Sequence, residues 1–225
     1  VAQQLADCGV RRITSSLDTL HAEKFATITR RDRLAQVLRG IDAALVAGLR
    51  LKLNTVALKQ QNVDELPQMI RWAHGHGMDM TIIETMPMGE TGHDRFDQYI
   101  PLTAVRSSLS DEFTMKESNF RTSGPSRYVD VAETGGRLGF ISPLSHNFCE
   151  NCNRVRITCT GQLYTCLGHD GMRDLKPALR NGCTQEAIDD AIDDALARKP
   201  KGHDFDISRR GQAPSVHRHM SVTGG

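Results

Sequence analysis

Residues 51–86 read LKLNTVALKQQNVDELPQMIRWAHGHGMDMTIIETM. Leu51–Leu58 is a largely apolar run of strand length. Asn62-Val63-Asp64-Glu65 opens a helix whose Leu66, Met69, Ile70 and Ala73 share one face, and Gly75 and Gly77 end it. Met78–Met86 is a second apolar strand. Strand, helix and strand in succession make a βαβ unit and require a parallel sheet. Upstream the unit recurs. Val1–Cys8 is helical and stopped by Gly9, Arg12–Leu17 is a short strand, and Arg33–Ala47 is a helix with Leu34, Leu38, Ile41 and Leu45 on one face and Gly48 beyond its end. Alternation along Leu51–Leu58 puts Lys52 and Asn54 on one side, which suits the polar interior of a barrel near its ligand end.

Downstream the pattern changes. Pro101–Glu112 is a short helix. Thr114–Cys166 reads as antiparallel, with strands at Tyr128–Ala132 and Leu138–Ser142 about a Gly135-Gly136 turn and two more about Thr160-Gly161. Leu175–Arg180 and Thr184–Arg198 are helices, the second capped by Thr184. Lys199–Gly225 is polar and without periodicity. The fold class is therefore α/β, passing into an α+β region with an antiparallel sheet. The expected division is 1–98 for the βα units and 99–225 for the remainder.

The 225 residues carry 28 Lys+Arg against 27 Asp+Glu, so no net field selects nucleic acid or a membrane surface. No apolar run reaches the ~18 residues of a membrane span. Val1-Ala2-Gln3-Gln4-Leu5 has neither the basic nor the apolar region of a leader, and it reads as the inside of a helix. A cytoplasmic location and further sequence upstream are the expectations.

Six cysteines stand at Cys8, Cys149, Cys152, Cys159, Cys166 and Cys183. Cys149-Glu150-Asn151-Cys152 places two thiols on one turn, and Cys166 lies beyond Gly161 on a returning strand, where a hairpin can bring it back. Thiolates suit zinc and iron–sulfur clusters alike, and spacing leaves both open. Structural zinc needs a fourth ligand, from His146, Cys159, His169 or Cys183. Cys159 has the wrong strand parity relative to Cys152. Three thiolates without a fourth suit a four-iron cluster with one iron open to substrate. Arg154 and Arg156 share the parity of Cys152, a cationic pair of the kind a polyphosphate or carboxylate needs. Cys8, Cys159 and Cys183 read as packing residues.

The run Phe148-Cys149-Glu150-Asn151-Cys152-Asn153-Arg154-Val155-Arg156, the gap to Cys166, the terminal Gly224-Gly225, Ser15-Ser16-Leu17-Asp18, Lys52-Leu53-Asn54 and Ile83-Glu84-Thr85-Met86-Pro87-Met88-Gly89 resemble, in order, the GTP 3′,8-cyclases. These are radical S-adenosylmethionine enzymes of molybdenum-cofactor biosynthesis. The resemblance covers essentially the whole chain. It implies the C-terminal part of an incomplete (βα)₆ TIM-like radical SAM barrel followed by a cluster-binding region. It implies Cys149, Cys152 and Cys166 as ligands of a [4Fe-4S] cluster whose open iron holds guanine. GTP contacts fall on Lys52, Arg154, Val155 and Arg156, the two arginines serving catalysis. Ser16, Asn54 and Met86 touch S-adenosylmethionine, and Gly224 and Gly225 form a tail that reaches the active site. The implied reaction joins C3′ of GTP to C8 of its guanine through a 5′-deoxyadenosyl radical.

The resemblance further implies an electron donor, a homodimer and a downstream cyclic pyranopterin monophosphate synthase. The Cys-x-x-x-Cys-x-x-Cys motif of the family's first [4Fe-4S] cluster does not occur here. The expectation is that it lies on upstream sequence, that this chain binds at most one cluster, and that alone it is inactive. Blander readings stand beside these: Ser16 as a helix cap, Met86 as packing, Lys52 snorkelling to water, Asp18 and Glu84 salt-bridged to neighbouring strands. Two rival functions are another radical enzyme with an auxiliary cluster and a zinc-stapled binding module.

Overall fold

The computed structural model describes all residues except Gly92, His93, Asn147, Asn181, Gly182, Cys183, Gly224 and Gly225, and it leaves the Asn151 side chain undescribed. The chain runs α1 (Ala2–Asp7), β1 (Arg12–Ser16), α2 (Ala22–Thr29), α3 (Leu34–Val46), β2 (Arg50–Ala57), a 3₁₀ turn (Val63–Glu65), α4 (Leu66–Gly75) and β3 (Asp79–Glu84). Then follow α5 (Arg95–Gln98), α6 (Leu102–Leu109), β4 (Met115–Glu117), β5 (Arg127–Val131) and β6 (Arg137–Ile141). The remainder holds a 3₁₀ turn (Cys149–Asn151), β7 (Arg156–Ile157), β8 (Gln162–Tyr164), β9 (Met172–Asp174), α7 (Lys176–Arg180) and α8 (Gln185–Ala197). No helix among the described residues is long and apolar enough to cross a membrane.

Packing makes two compact units, Val1–Thr85 with Asp97–Ser145, and Met86–Phe96 with His146–Gly225. These bounds differ from a cut at 98/99 because the β4–β6 segment belongs to the first sheet. That sheet has the order β1-β2-β3-β6-β5-β4. β1, β2, β3 and β6 run parallel, and β5 and β4 add antiparallel. The antiparallel ribbon expected to stand apart is thus a continuation of the parallel sheet. The physical reason is twofold: β3 otherwise leaves an unpaired edge, and Leu138 and Phe140 of β6 need the same hydrophobic layer as Met80 and Ile82.

Side chains alternate across this sheet. Leu51, Leu53, Met80, Ile82 and Leu138 point to a core packed by α3, α4 and α6 through Ile41, Ala44, Leu66, Met69, Ile70, Ala73 and Val105. The opposite face is polar. Directly paired residues share a face, so Ser16, Asn54, Thr81, Gly139 and Tyr128 form one row over five strands. Gly139 has to be glycine here. A Cβ would sit 2.3 Å from Ser126 Oγ and 2.9 Å from Thr81 Oγ1. In the neighbouring row Lys52 lies opposite Asp79, whose carboxylate takes two bonds from Arg137, at 3.2 and 2.9 Å.

α2 went unread in the sequence for identifiable reasons. It buries only Phe25. Thr27 and Thr29 turn their hydroxyls back onto the carbonyls of Glu23 and Phe25. Its C-cap, Arg30, takes the left-handed conformation (φ 56°) without the glycine that would signal it.

The second unit is smaller. β7, β8 and β9 form an antiparallel sheet, with α7 and α8 beside it and Leu163, Leu175, Ala191 and Ala195 as its core. Thr184 caps α8 by accepting from Ala187 N at 3.2 Å. The segment after Met86 is held by the chain's end: Met88 bridges Val216, and Gly89 N donates to Val216 O at 2.8 Å.

His74, at the end of α4, is almost fully buried. Its Nε2 donates to Arg137 O (3.1 Å), which leaves Nδ1 to accept from Thr134 Oγ1 (2.6 Å). Burial pushes this imidazole below its ordinary 6.5, and the Arg137 carbonyl and Asp79 only partly offset that. A depressed histidine stabilises the fold while neutral. Its contribution is complete above 6.5 and is lost as pH falls from there toward the lowered folded value. The urea midpoint of the wild type is therefore expected to drop between about pH 7 and 5 more steeply than that of His74→Gln. Parallel curves would show that His74 carries no part of the acid sensitivity.

Candidate functional site

Of the first group of expected site residues, Ser16 ends β1 while Lys52 and Asn54 lie within β2, and a polar clasp fixes the C-terminal ends of both strands. Asn62 is wholly buried. Its Nδ2 donates to Asp18 O (2.7 Å) and Val56 O (2.8 Å), and its Oδ1 accepts from Leu58 N (2.8 Å). Asp18 Oδ1 accepts from Val56 N at 2.8 Å, and Thr55 Oγ1 donates to Leu17 O at 2.7 Å. Burial pushes the Asp18 carboxyl up, and the Val56 N–H holds it partly down. Among the described residues Asp18 and Glu84 do not form the expected salt bridges. Each binds backbone N–H groups instead, Glu84 those of Leu102, Leu144 and Ser145 at 2.8–3.1 Å. Burial and the Glu84 charge push the Tyr99 phenol up to about 12.

The clasp sets Ser16 directly opposite Asn54, with Lys52 two residues back on the same face. Asn54 Oδ1 and its register neighbour Thr81 Oγ1 are both buried and without a hydrogen-bond partner among the described residues. An unmet buried polar atom costs about 1–3 kcal/mol, so two side by side suit the polar edge of a ligand. Thr81 was not singled out in the sequence because it sits inside an apolar strand.

The second group lies wholly in the second unit. Cys149 and Asn151 bound a 3₁₀ turn with Cys152 as its C-cap. Half-buried Cys152, Arg154 and Arg156 alternate with exposed Asn153, Val155 and Ile157, so the parity expected of a strand holds although β7 itself has two residues. Val155 turns its side chain outward. β7 pairs β8 with Arg156 opposite Tyr164, and continuing that register brings Cys166 back to the level of Arg154. Cys149, Cys152 and Cys166 are free, half-buried thiols. Met86 opens the segment 86–96 of this unit and is half-buried.

Three features prepare these sulfurs for an electron-poor partner. The His203 backbone N–H bonds the Cys149 sulfur. Burial raises the Cys149 thiol, the His203 N–H lowers it in part, and the neighbouring Cys166 and Cys152 raise it again. Burial also acts to raise Cys152, but the backbone N–H, side chain and charge of Arg154, with Lys199, outweigh it and bring that thiol down. Arg154 Nη2 donates to Cys152 Sγ at 3.4 Å. Arg154 also lies over the Phe148 ring, 5.2 Å from its centroid.

The cations themselves crowd. Burial pushes the Arg156 guanidinium down, Arg154 adds to this, Cys152 opposes it, and Arg218 lowers it further. Neither Arg154 nor Arg156 forms a salt bridge with a described carboxylate, and Arg156 Nη1 has only Thr223 O, at 3.4 Å. Two half-buried neighbouring guanidinium groups with no described carboxylate partner, Arg154 and Arg156, are suited to an anion.

Two profiles of known families match the chain: the Radical SAM superfamily over residues 1–73 and Molybdenum Cofactor Synthesis C over residues 78–205. A curated GTP 3′,8-cyclase of Mesorhizobium japonicum is 62% identical over 224 residues, covering all of this chain and 68% of that protein. GTP 3′,8-cyclases of Brucella canis and Brucella abortus are 61% and 60% identical, each covered over 65% of its length. The chain belongs to the GTP 3′,8-cyclase family. It spans about two thirds of the length of these relatives.

The donor set suits an iron–sulfur cluster, a class of cofactor that the GTP 3′,8-cyclase family implies. Its three thiols are unoxidised, each of two receives a backbone N–H, and arginine and lysine charges stand beside them. Among the described residues no three His, Cys, Asp or Glu side chains gather closely enough for a single metal ion. A four-iron cage spreads its ligands over separate irons, so their sulfurs stand farther apart. Of the candidate fourth ligands, His169 Nε2 is 2.8 Å from Asp204 and Cys159 is exposed. Cys8 is exposed too, so neither it nor Cys159 is a packing residue: one ends a helix and the other sits on the Thr158–Gly161 turn. Cys183, Gly224 and Gly225 lie outside the described residues.

Lys199, His203 and Arg218 carry no assigned role in the sequence reading, and they reach this site from a stretch without periodicity. Arg218 donates to Cys166 O (3.1 Å) and Leu167 O (2.5 Å), pairs with Asp170 at 2.6 Å, and covers the Tyr164 ring at 4.3 Å. Because the thiolate is the nucleophile, limited alkylation of the iron-free GTP 3′,8-cyclase family chain with iodoacetamide at neutral pH should label Cys152 ahead of Cys149. Arg154→Met should reverse or abolish that order. Peptide mass spectrometry reads it, and equal labelling in the wild type would refute the assigned field.

Proposed function

We propose that this chain is the cluster- and nucleotide-binding portion of a GTP 3′,8-cyclase acting in molybdenum-cofactor biosynthesis. The observation that carries the proposal is the pairing of three cysteines that form no disulfide with two arginines that have no carboxylate partner among the described residues, in a chain whose relatives bear that name. Cys149, Cys152 and Cys166 would hold a [4Fe-4S] cluster. Bound S-adenosylmethionine and the clusters would supply radical chemistry and an iron site for the guanine ring.

The residues of the chain do the binding. Arg154 and Arg156 neutralise the triphosphate, with Lys52 assisting and Val155 contributing backbone. Ser16, Asn54 and Met86 serve S-adenosylmethionine, for which the unmet Asn54 Oδ1 is an acceptor suited to an amino group. The clasp at Asn62 and Asp18 keeps Ser16 and Asn54 fixed, which is a contribution to proximity. Gly224 and Gly225, the tail expected from the resemblance, lie outside the described residues.

In this reading the sheet β1-β2-β3 is the later part of a (βα)₆ TIM-like barrel. Residues 1–98 are then the later βα units of that partial barrel, and residues 99–225 the cluster- and substrate-binding region with its Gly-Gly tail. The first [4Fe-4S] cluster belongs to sequence outside these residues. A cytoplasmic homodimer, an electron donor and a downstream cyclic pyranopterin monophosphate synthase complete the setting.

The test is anaerobic reconstitution followed by metal analysis and GTP titration. A brown protein with about four irons is expected, and zinc in place of iron overturns the reading. Arg154→Ala with Arg156→Ala should keep the iron while weakening GTP by about a hundredfold, from roughly 1.5 kcal/mol per lost charge-assisted bond. Unchanged GTP affinity removes the arginines from the site.

A further inference from the structure

Lys199 follows the C-cap of α8, with its backbone N donating to Leu196 O at 3.0 Å. Its ammonium donates to Arg154 O at 2.9 Å and to Thr165 O. Arg154 is two residues beyond Cys152, and Thr165 immediately precedes Cys166. The β7–β8 ladder ends at the Arg156–Tyr164 pair. Beyond it, among the described hydrogen bonds, no backbone bond joins the two cysteine-bearing ends. Lys199 is the group that spans them.

The residues after Lys199 stay beside the same sulfurs. The His203 backbone N–H bonds the Cys149 sulfur. Asp204 N donates to Gly168 O at 3.5 Å. Gly168 makes this approach feasible, since a Cβ there would stand 2.5 Å from that of His203. A single short segment outside the hairpin thus reaches all three cysteine positions.

We propose that Lys199 is a positioning residue for the three-cysteine site. Its ammonium staples the Cys149–Cys152 turn to the Cys166 segment and sets the thiol separation before iron arrives. An ammonium has three donors and no acceptor, so it can hold two carbonyls at once and still leave a positive charge against the thiolates. The inference rests on the reading of those cysteines as cluster ligands. Outer residues that orient ligands change metal affinity without touching metal, and a nearby cation favours the reduced, more negative cluster.

The experiment compares wild type, Lys199→Met, Lys199→Gln, Lys199→Arg and Cys166→Ser after anaerobic reconstitution. It measures iron per chain, the rate of iron loss to a ferrous chelator, the cluster's midpoint potential, and helix content by circular dichroism. Lys199→Met is expected to lose iron about tenfold faster than wild type, with a more negative potential and unchanged helix content. Lys199→Arg, which keeps charge and donors, should stay near wild type, and Lys199→Gln should fall between. Iron loss and potential equal to wild type in Lys199→Met overturn the staple. Should Lys199→Met lose its helices, Lys199→Gln and Lys199→Arg decide: equal loss rates overturn the proposal, faster loss in Gln supports it. A wild type that takes up no iron, or a Cys166→Ser variant that keeps the full complement, overturns the cluster reading and the staple with it.

Discussion

Slipping β2 by one residue against β3 would turn Lys52 and Asn54 into hydrocarbon and Leu53 out of it. Everything in the first unit depends on that register. Leu51, Leu53 and Ala57 are essentially buried, and Met80, the partner of Leu53, and Ile82, the partner of Thr55, lie on the same layer. The wrong pairing would expose several large side chains and bury a lysine, so the hydrophobic layer alone selects one alignment. The polar row of Ser16, Asn54 and Thr81 on the opposite face follows from that selection. The site residues are placed by the core behind them, and the Asn62 clasp then fixes the loops at their ends.

The second unit is organised by charge more than by hydrocarbon. Its core contains four small or medium apolar side chains, too little to set side-chain positions finely. The groups that hold its geometry are Arg218 on the Cys166 and Leu167 carbonyls, Lys199 on the Arg154 and Thr165 carbonyls, and the N–H groups on the Cys149 and Cys152 sulfurs. Such bonds are directional where packing is not, which is what the proposed set of three ligands to one cage would require.

The βα units were legible because their residues answer to local rules. Leu34, Ile41 and Leu45 recur at helical spacing, Gly48 and Gly77 take positive φ (75° and 71°) just past helices, and Thr184 caps as a threonine should. The hairpin about Gly161, also at positive φ (78°), carries Cys166 back as its spacing suggests. What escaped the sequence was non-local. Nothing in Leu138–Ser142 says that it will lie parallel beside β3 instead of in a sheet of its own, since either arrangement buries Leu138 and Phe140. Lys199 and Arg218 look like any surface cations, and the bonds that define them are to main-chain carbonyls, which leave no side-chain pattern. Asp18 and Glu84 looked like salt-bridge partners because a sequence displays charged neighbours and hides backbone N–H groups.

The same cations can serve two anions without conflict. On the proposed reading, thiolates bound to iron would leave the site negative, and Lys199 and Arg154 would relieve a charge present whenever the cluster is. Arg156 stands one register position nearer the β7–β8 ladder, with burial and its like-charged neighbours weakening its hold on its own proton. Those neighbours repel it least when an anion lies between them. A nucleotide triphosphate would supply that anion, and in a half-buried site its attraction is screened less than at the surface. On the proposed reading Lys199 and Arg154 face the sulfurs, and Arg154 with Arg156 faces the triphosphate, so Arg154 is the cation shared between the two anions.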